Sequence, residues 1–439
     1  AGVCVAAWLR ALPPSARAAA GMWVAGALAL YGVLGIDAVR EDHAAWQQQR
    51  VGRVEEELAH FLAGYPAVPV FTWNDDMARY LSFYVGLDDA TVYDRAHNRG
   101  AVRNRFDPAG RSLVTPGAFA LDATYAFTCE DLTAPRVVGA QPSEVVAMNS
   151  LTANLHLMLV SFYQPTIERT AILVEAGSFP SDRYAVESQL KYRGLPPQHT
   201  LIEVEPDQPD GTFSMQAIER AINENAKRLA LILWPGVQYR TGQAFDLKEI
   251  ARLGHAAGAI VGFDLAHAVG NLPLQLHDSG ADFAVWCHYK YMNSGPGAVA
   301  GCFVHERHAR TQRPRFAGWW GNNQDVRFKM GPQFDPTPGA DGWQLSNPPI
   351  LGLAPLRASL DQYDRATMPA LRAKSESLTG YLEQLIDADL RDVLQVVTPR
   401  DVAQRGCQLS IRVIGGRERG RELFEFLATR GVLGDWREP

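Results

Sequence analysis

Short apolar runs alternate with helical patterns from residue 143 onward, and this alternation constrains the fold more than any other feature of the sequence. The runs lie at 171–174, 201–204, 229–234, 259–263 and 283–287, and each has the length of one buried strand. Strands that alternate with helices form parallel sheets whose two faces are covered by those helices. We therefore predict an α/β fold with a mainly parallel sheet flanked by helices.

Three regions differ in pattern and predict three parts of the chain. Residues 1–140 contain no repeat and no motif that indicates a chemistry, so their fold is left open. Residues 141–350 carry the alternation and predict a large domain. Residues 351–439 follow an Asn-Pro-Pro break and predict a small α+β domain that looks incomplete at its end. Its predicted elements are one long helix at 353–386, a strand at 408–413 and a helix at 420–430.

The composition favours a small-molecule enzyme over a protein that binds nucleic acid. The 42 basic and 48 acidic side chains give a formal net charge of -6, and no basic run could follow a phosphate backbone. Five scattered cysteines form no C-x-x-C pair, which argues against disulfides and structural zinc and favours a reducing, cytoplasmic location. The histidines lack metal-ligand spacing, so no metal site is predicted.

One uncharged segment, residues 18–36, permits two interpretations. It follows Arg10 and Arg17, as a signal anchor or a marginal membrane helix would. It is also rich in alanine and glycine, which makes it weakly hydrophobic and typical of a buried helix. We favour the buried helix because the rest of the chain has the composition of a cytosolic protein, and membrane contact through 18–36 is the alternative.

Polar residues at strand ends mark the candidate site, because ligands of open α/β sheets bind beyond the carboxyl ends of the strands. Asp264 closes one predicted strand, Lys290 follows the next, and residues 179–182 follow the first strand of the series. The carboxylate and the lysine form either an ordinary ion pair or a pyridoxal phosphate site. In such a site the lysine amine forms a Schiff base with the aldehyde, and the carboxylate keeps the pyridine nitrogen protonated.

A long stretch around these two residues resembles kynureninase, a pyridoxal-phosphate-dependent family of the class V aminotransferase type with fold type I. The stretch is FDLAHAVGNLPLQLHDSGADFAVWCHYKYMNSGPGAVAGCFVHERH at 263–308. Further similarity lies in MNSLTANLHLMLVSFYQPT at 148–166, FPSDRYAVESQL at 179–190, GVQYRTGQ at 236–243, GWWG at 318–321, SNPPI at 346–350 and RGCQLSI at 405–411. Segments of this length and number favour the pyridoxal phosphate site over a plain ion pair.

The resemblance implies roles for individual residues. Lys290 matches the Schiff-base lysine, Asp264 the partner of the pyridine nitrogen, and Tyr289 a phosphate-binding tyrosine that could also supply a proton. Phe179 matches the residue that stacks on the pyridine ring, and His267 matches a histidine near that ring, unless it only caps a helix. Cofactor contacts are also implied for Leu151, Thr152, Pro180, Ser181, Asp182, Pro235, Trp319 and Asn347. The last two match residues that help to build a site shared between the subunits of a homodimer.

The same resemblance implies a hydrolase that acts on a carbon–carbon bond. It would cleave the Cβ–Cγ bond of L-kynurenine or 3-hydroxy-L-kynurenine and release anthranilate or 3-hydroxyanthranilate together with L-alanine. This reaction belongs to tryptophan catabolism and NAD biosynthesis. The implied partners are the small-molecule substrate and a second copy of the chain, and nucleic acid is not among them.

Three departures from the family pattern leave other functions open. Residues 1–140 lack the family's glycine loop and active-site histidine, and the chain ends at Pro439, before the strand whose arginine binds the substrate carboxylate. Pro235 stands where some relatives have a hydroxyl residue. The alternatives are a cofactor-binding but catalytically impaired protein and another class V reaction, such as desulfuration or transamination. Desulfuration would need a reactive cysteine near the site, whereas Cys302 and Cys407 lie in apolar runs typical of strands.

Overall fold

The computed structural model describes residues 102–103, 112–114 and 134–437. The chain divides into two compact units, Ala1–Tyr125 and Ala126–Pro439. In the first unit the described residues form one antiparallel pair, β1 (Val102–Arg103) and β2 (Ser112–Val114). The predicted apolar helix at 18–36 lies outside the described residues, and no helix within them is long and apolar enough to cross a membrane. The predicted division at residues 140 and 350 stays a prediction.

A seven-stranded sheet forms the centre of the second unit and confirms the predicted fold class. Its strands are β3 (Val145–Ala147), β4 (Ala171–Glu175), β5 (Leu201–Val204), β6 (Leu229–Pro235), β7 (Ile260–Asp264), β8 (Phe283–Trp286) and β9 (Gly301–Val304). Their order across the sheet is β3-β9-β8-β7-β6-β4-β5. The strands from β8 to β5 pair in parallel, whereas β9 is antiparallel to both of its neighbours.

Helices pack on both faces of this sheet. The helices of the described part of the chain are α1 (Ala134–Val138), α2 (Leu151–Phe162), α3 (Pro180–Tyr192), α4 (Pro197–Thr200), α5 (Met215–Asn225), α6 (Leu247–Ala256), α7 (Leu276–Ser279), α8 (Gln324–Arg327), α9 (Ile350–Ala366), α10 (Met368–Leu385) and α11 (Arg417–Thr429). One core cluster joins α2 and α3 to the sheet, and a second cluster joins α5, α6 and α9 to the opposite face. The central strands are therefore buried on both sides, as a parallel sheet requires.

The strand sequences explain how both clusters form. Successive side chains of a strand point to opposite faces, so Trp234 enters one cluster and its neighbour Leu233 the other. Gly262 of β7 pairs with Phe283 of β8, and a Cβ atom at position 262 would lie 2.0 Å from the Phe283 ring. The glycine therefore makes room for a fully buried aromatic ring beside the strand that ends in Asp264.

The C-terminal part differs from its prediction in two respects. The single long helix predicted at 353–386 is wrong, because α9 and α10 are separated at Thr367, whose φ is 62°. Pro369 near the start of α10 has no N–H to continue the first helix, and its ring would clash with the preceding turn. The predicted strand at 408–413 is shorter, since β11 covers Ile411–Val413 and pairs with β10 (Leu394–Val396), which the sequence did not predict.

Candidate active site

A pocket lies where the carboxyl ends of the central strands meet. Pro235 at the end of β6 pairs with Asp264 at the end of β7, and Asp264 pairs with Val285 of β8. The segments that follow these strands carry polar side chains over this edge, as is usual for ligand sites of open α/β sheets. The pocket is lined by Leu151, Thr152, Glu175, Phe179, Ser181, Asp182, Pro235, Val237, Tyr239, Asp264, Ala266, His267, Tyr289 and Lys290.

Most of the predicted site residues line this pocket, and three do not. Pro180 is the first residue of α3, directly after the pocket-lining Phe179. Trp319 is 38% exposed and packs its ring edge-to-face with Phe328, while Asn347 is exposed. Four further residues line the pocket that were not predicted from the sequence: Glu175, Val237, Tyr239 and Ala266. Of these, Glu175 carried a usable signal, because it is the polar residue that ends the predicted strand at 171–174.

Lys290 lies in a loop whose start is fixed by a buried histidine. The Trp286 indole N–H donates to His288 Nε2 at 2.8 Å, so the other ring nitrogen carries the proton and donates to the Val299 carbonyl. Burial lowers the pKa of His288 to about 4, which keeps the ring neutral at physiological pH. Two residues further on, the Lys290 ammonium lies 5.4 Å from the centroid of the Phe179 ring.

Helix α9 holds the same loop from the opposite side. The Tyr363 hydroxyl lies 2.6 Å from the Tyr291 carbonyl and 3.1 Å from the Gly270 carbonyl. Ser359, one turn earlier in α9, donates to the Met292 carbonyl. Gly270 has a φ of 81°, and a Cβ there would lie 2.6 Å from the Tyr363 hydroxyl. One helix therefore connects the loop that follows β7 with the loop that carries the lysine.

Three buried carboxyl groups gather on the strand side of the pocket. Asp264 accepts a hydrogen bond from the Ala266 N–H at 2.6 Å and is in hydrogen-bonding contact with Asp182. Burial raises the pKa of Asp182 well above its ordinary range, and the neighbouring Asp264 raises it further. Burial also raises the pKa of Glu175 to about 8. Burial raises the pKa of Asp264 as well, against the hydrogen bonds from Asp182 and the Ala266 N–H. The directions of these three shifts indicate that the three groups are not all ionised at neutral pH.

His267 faces this pocket as a neutral ring. Burial, followed by the positive charge of Lys290, lowers its pKa to about 4. Its Nδ1 atom is buried and has no hydrogen-bond partner among the described residues. The ring packs edge-to-face against Tyr291 at 5.7 Å. His267 therefore lines the pocket, and its place near a bound ring stays a prediction.

The first turn of α2 lies at one end of the pocket. Leu151 and Thr152 are its first two residues, and amides in the first turn of a helix have no partner within that helix. The Thr152 hydroxyl lies 2.7 Å from the Ser181 hydroxyl, which belongs to the first turn of α3. Free amides and hydroxyl groups at a helix N-terminus are a favourable place for a phosphate group.

One cluster elsewhere in the described part of the chain has the composition of a metal site. Glu144, His277 and His305 place their ligand atoms within 4.8 Å of one another. The Glu144 carboxylate is already occupied, because it accepts hydrogen bonds from His277 and from the N–H groups of Gln141 and Glu306. Glu144, His277 and His305 are not among the residues that line the pocket. The cluster therefore acts as a hydrogen-bonded network that joins three segments.

The cysteines of the pocket region differ from their prediction in one case. Cys302 is buried in β9, as its apolar run predicted. The strand predicted around Cys407 is wrong, because this residue is exposed in the loop before β11. Its N–H donates to Asn271 Oδ1 at 2.8 Å, and Gly406 packs closely on the same side chain. Contacts with Asn271 replace a strand partner there, so the ladder begins only at Ile411.

Comparison with known proteins assigns the family. A kynureninase from Xanthomonas campestris pv. campestris (strain B100) is 71% identical over 304 residues, which are 69% of this chain and 72% of the relative. The kynureninase of Xanthomonas euvesicatoria pv. vesicatoria (strain 85-10) is 70% identical over 304 residues, which are again 69% of this chain and 72% of the relative. The chain belongs to the kynureninase family.

Family profiles and solved structures agree with membership in the kynureninase family. The profile described as Kynureninase C-terminal domain matches residues 371–439, and that of the DegT/DnrJ/EryC1/StrS aminotransferase family matches residues 138–281. The apo cysteine desulfurase from Thermococcus onnurineus NA1 has a TM-score of 0.58 at 17% identity over 77% of each chain. A C-DES variant with glycine covalently linked to its PLP cofactor has a TM-score of 0.57 at 16% identity, over 71% of this chain and 78% of that one. At these identities the two structures support the fold alone.

Proposed function

We propose that this kynureninase-family protein hydrolyses the Cβ–Cγ bond of L-kynurenine or 3-hydroxy-L-kynurenine, with pyridoxal phosphate as its cofactor. The products are anthranilate or 3-hydroxyanthranilate and L-alanine. The observation that carries the proposal is the convergence of Lys290, Asp264 and Phe179 in one pocket, in a chain 71% identical to a kynureninase over 304 residues. The reaction places the protein in tryptophan catabolism and NAD biosynthesis.

The residues of the pocket fit pyridoxal phosphate. The first turn of α2 would hold the phosphate through the amides of Leu151 and Thr152. Asp264 would face the pyridine nitrogen, Phe179 would pack on the ring, and Lys290 would reach the aldehyde. Two buried carboxyl oxygens in the pocket, Oε2 of Glu175 and Oδ1 of Asp182, have no partner among the described residues. Such unpartnered polar atoms are costly unless a ligand satisfies them.

Each residue then has a separate task in the reaction. The cofactor, when bound, would supply an electron sink that accepts the electron pair of the Cα–H bond and, after water has added to the γ-carbonyl, the electron pair of the Cβ–Cγ bond. Lys290 takes the proton from the α-carbon, because its amine faces the pocket beside the Phe179 ring. Asp264 would be the carboxylate next to the ring nitrogen and would keep that nitrogen protonated, since the hydrogen bonds from Asp182 and the Ala266 N–H and the charge of Lys290 favour its ionised form against burial. His267 is neutral at the pH of the reaction and adds no charge to the site.

Tyr289 is our candidate for the proton donor to the substrate carbonyl. Burial, and then the Cys287 thiol, raise the pKa of Tyr289 above its ordinary value, so the phenol keeps its proton. We expect Tyr289→Phe to lower kcat by about 10²-fold, the lower range for a lost general acid. The cofactor dissociation constant should rise by only about tenfold, since one hydrogen bond from a neutral phenol to the phosphate is lost. Steady-state kinetics and a cofactor titration measure the two quantities, and equal losses in both would refute the role.

The proposed activity is tested by anthranilate fluorescence. The purified protein is loaded with pyridoxal phosphate and mixed with L-kynurenine, and in a parallel sample with 3-hydroxy-L-kynurenine. Product in either sample supports the hydrolase and shows which substrate is preferred. Bound cofactor without product from either substrate would overturn the proposal in favour of a catalytically impaired protein.

We propose further that the active form is a cytoplasmic homodimer with shared sites. Trp319 and Asn347 lie outside their own pocket, and the segments that carry them are joined by a hydrogen bond from the Trp320 N–H to the Leu345 carbonyl. A second copy could receive these exposed residues at its pocket. We expect sedimentation equilibrium to give twice the mass of the chain.

A mixing experiment tests whether the sites are shared. Lys290→Ala and the double variant Trp319→Ala/Asn347→Ala should each be inactive alone. After co-refolding, one pocket of the mixed dimer contains Lys290 from the double variant together with Trp319 and Asn347 from the Lys290→Ala chain. Activity should therefore return. A monomeric mass, or no recovery on mixing, would contradict the shared site.

A further inference from the structure

Glu175 is a pocket residue without a task in the reaction described above. It ends β4, it is 2% exposed, and it lines the pocket with Asp182 and Asp264. The only hydrogen-bond partner of its side chain among the described residues is Gln238, whose amide nitrogen lies 3.4 Å from Oε1. Oε2 is buried and has no partner there. A carboxyl group in this position is either an ionised group in need of a cation or a neutral acid.

The orientation of Gln238 determines which oxygen of Glu175 accepts a hydrogen bond. The Gln238 side-chain oxygen accepts from the N–H groups of Arg240 at 2.6 Å and Thr241 at 3.0 Å. The amide nitrogen of Gln238 must therefore point toward Glu175 and donate to Oε1. Oε1 then acts as the carbonyl oxygen of the acid, and Oε2 is left to carry a proton.

The charges around Glu175 also favour the neutral form. Among the described residues no lysine or arginine forms an ion pair with Glu175, and the guanidinium of Arg240 bonds instead to the Tyr239 hydroxyl at 2.9 Å. Asp264 and Asp182 face the same space, with Lys290 and Arg240 as the nearby cations. Three carboxylates would still repel one another strongly at low dielectric, because neither cation forms an ion pair with Glu175. Burial raises the pKa of Glu175 to about 8, against the Gln238 hydrogen bond and the charge of Arg240, and the neighbouring Asp264 adds to the rise.

We propose that Glu175 is a positioning residue that stays protonated at neutral pH and presents its O–H to the bound cofactor, so that Asp264 holds the negative charge of the pocket. An ionised Glu175 would place a second negative charge beside Asp264 and would compete for the proton of the ring nitrogen. The neutral acid avoids this repulsion. The proposal rests on the proposed function only in assuming that the pocket binds pyridoxal phosphate. It adds a residue that the sequence pattern did not single out.

Infrared spectroscopy of the protein without substrate tests the protonation state directly. The difference spectrum of wild type minus Glu175→Gln at neutral pH should contain the C=O band of a protonated carboxyl group. Glu187→Gln on α3, which removes a glutamate paired with Arg183 and Lys191, is the matched control and should remove a carboxylate band instead. In wild type the Glu175 band should convert to a carboxylate band as the pH rises through about 8. A carboxylate band lost at neutral pH in Glu175→Gln would overturn the proposal.

Cofactor binding gives a second, independent readout. Glutamine has the shape of the neutral acid, so Glu175→Gln should change the pyridoxal phosphate dissociation constant by less than about fivefold. Asp264→Asn, which removes the negative charge, should weaken binding by about 10- to 100-fold. Equal losses in the two variants would show that Glu175 is ionised and would refute the proposal. An inactive wild type with the expected infrared band would refute the proposed function but leave the protonated Glu175 intact.

Discussion

Replacement of Lys290 by alanine is expected to lower anthranilate formation from L-kynurenine by at least about 10³-fold. The amine lies 5.4 Å from the centre of the Phe179 ring, in a loop fixed by Trp286, His288 and Tyr363. In the proposed mechanism, alanine would remove both the covalent attachment of the cofactor and the base that takes the α-proton. The remaining pocket residues would still hold the phosphate and the ring, so the loss should lie in turnover far more than in binding.

Two measurements on the same sample separate this role from a structural one. Lys290→Ala should lack the visible absorption band of a lysine-linked cofactor while its far-ultraviolet circular dichroism stays that of wild type. Lys191→Ala is the matched control, because Lys191 is 65% exposed on α3 and pairs only with Glu187 on the same helix among the described residues. The control should keep the band and the activity. Turnover by Lys290→Ala within about tenfold of wild type would remove Lys290 from the mechanism.

The sequence predicted the sheet and the edge of the sheet on which the site lies, because both depend on local patterns. Each central strand is a short apolar run, and the polar residue that ends it is visible directly, as at Asp264. The same rule applied to the run at 171–174 would have found Glu175. Tyr239 could not be predicted in this way, because it does not end a strand. Its position in the pocket depends on the turn that the Gln238 side chain closes and on the hydrogen bond that Gln408, from the C-terminal segment, donates to the Tyr239 carbonyl.

Contacts between distant segments are the part of the site that a sequence pattern does not reveal. Tyr363 appears in the sequence as one aromatic residue on a helical face, yet its hydroxyl joins the loops that carry His267 and Lys290. The separation of α9 and α10 at Thr367 has a local cause in Pro369, but a helix can also continue through such a position with a kink. Tertiary packing determines whether the helix ends or continues with a kink at such a position, and the periodicity of the sequence does not show this packing.

Glu383→Ala is expected to cause the largest loss of stability, about 3–5 kcal/mol, which is typical for one partner removed from a buried ion pair. Glu383 of α10 bonds to Arg405 at 2.8 Å, and Arg405 is 2% exposed. The backbone of Arg405 also forms an isolated antiparallel β-bridge with Gln243, next to the turn that carries Tyr239. Alanine at position 383 leaves a buried guanidinium with the Pro399 carbonyl, at 3.2 Å, as its remaining hydrogen-bond acceptor among the described residues.

Urea unfolding and hydrogen exchange measure the loss and locate it. Amide exchange should accelerate first in β10 and β11, because Arg405 lies in the segment between them. Arg400→Ala is the control, since Arg400 is 60% exposed and its pairs with Glu383 and Asp387 contribute at most about 1 kcal/mol.

The double variant Glu383→Met/Arg405→Met should recover most of the loss, because it removes both buried charges and keeps the volume filled. If the double variant were as unstable as Glu383→Ala, lost packing and not an unpaired charge would be the cause. Since Arg405 adjoins the turn of Tyr239, a cofactor titration of the same variants would then show how far the C-terminal segment supports the pocket.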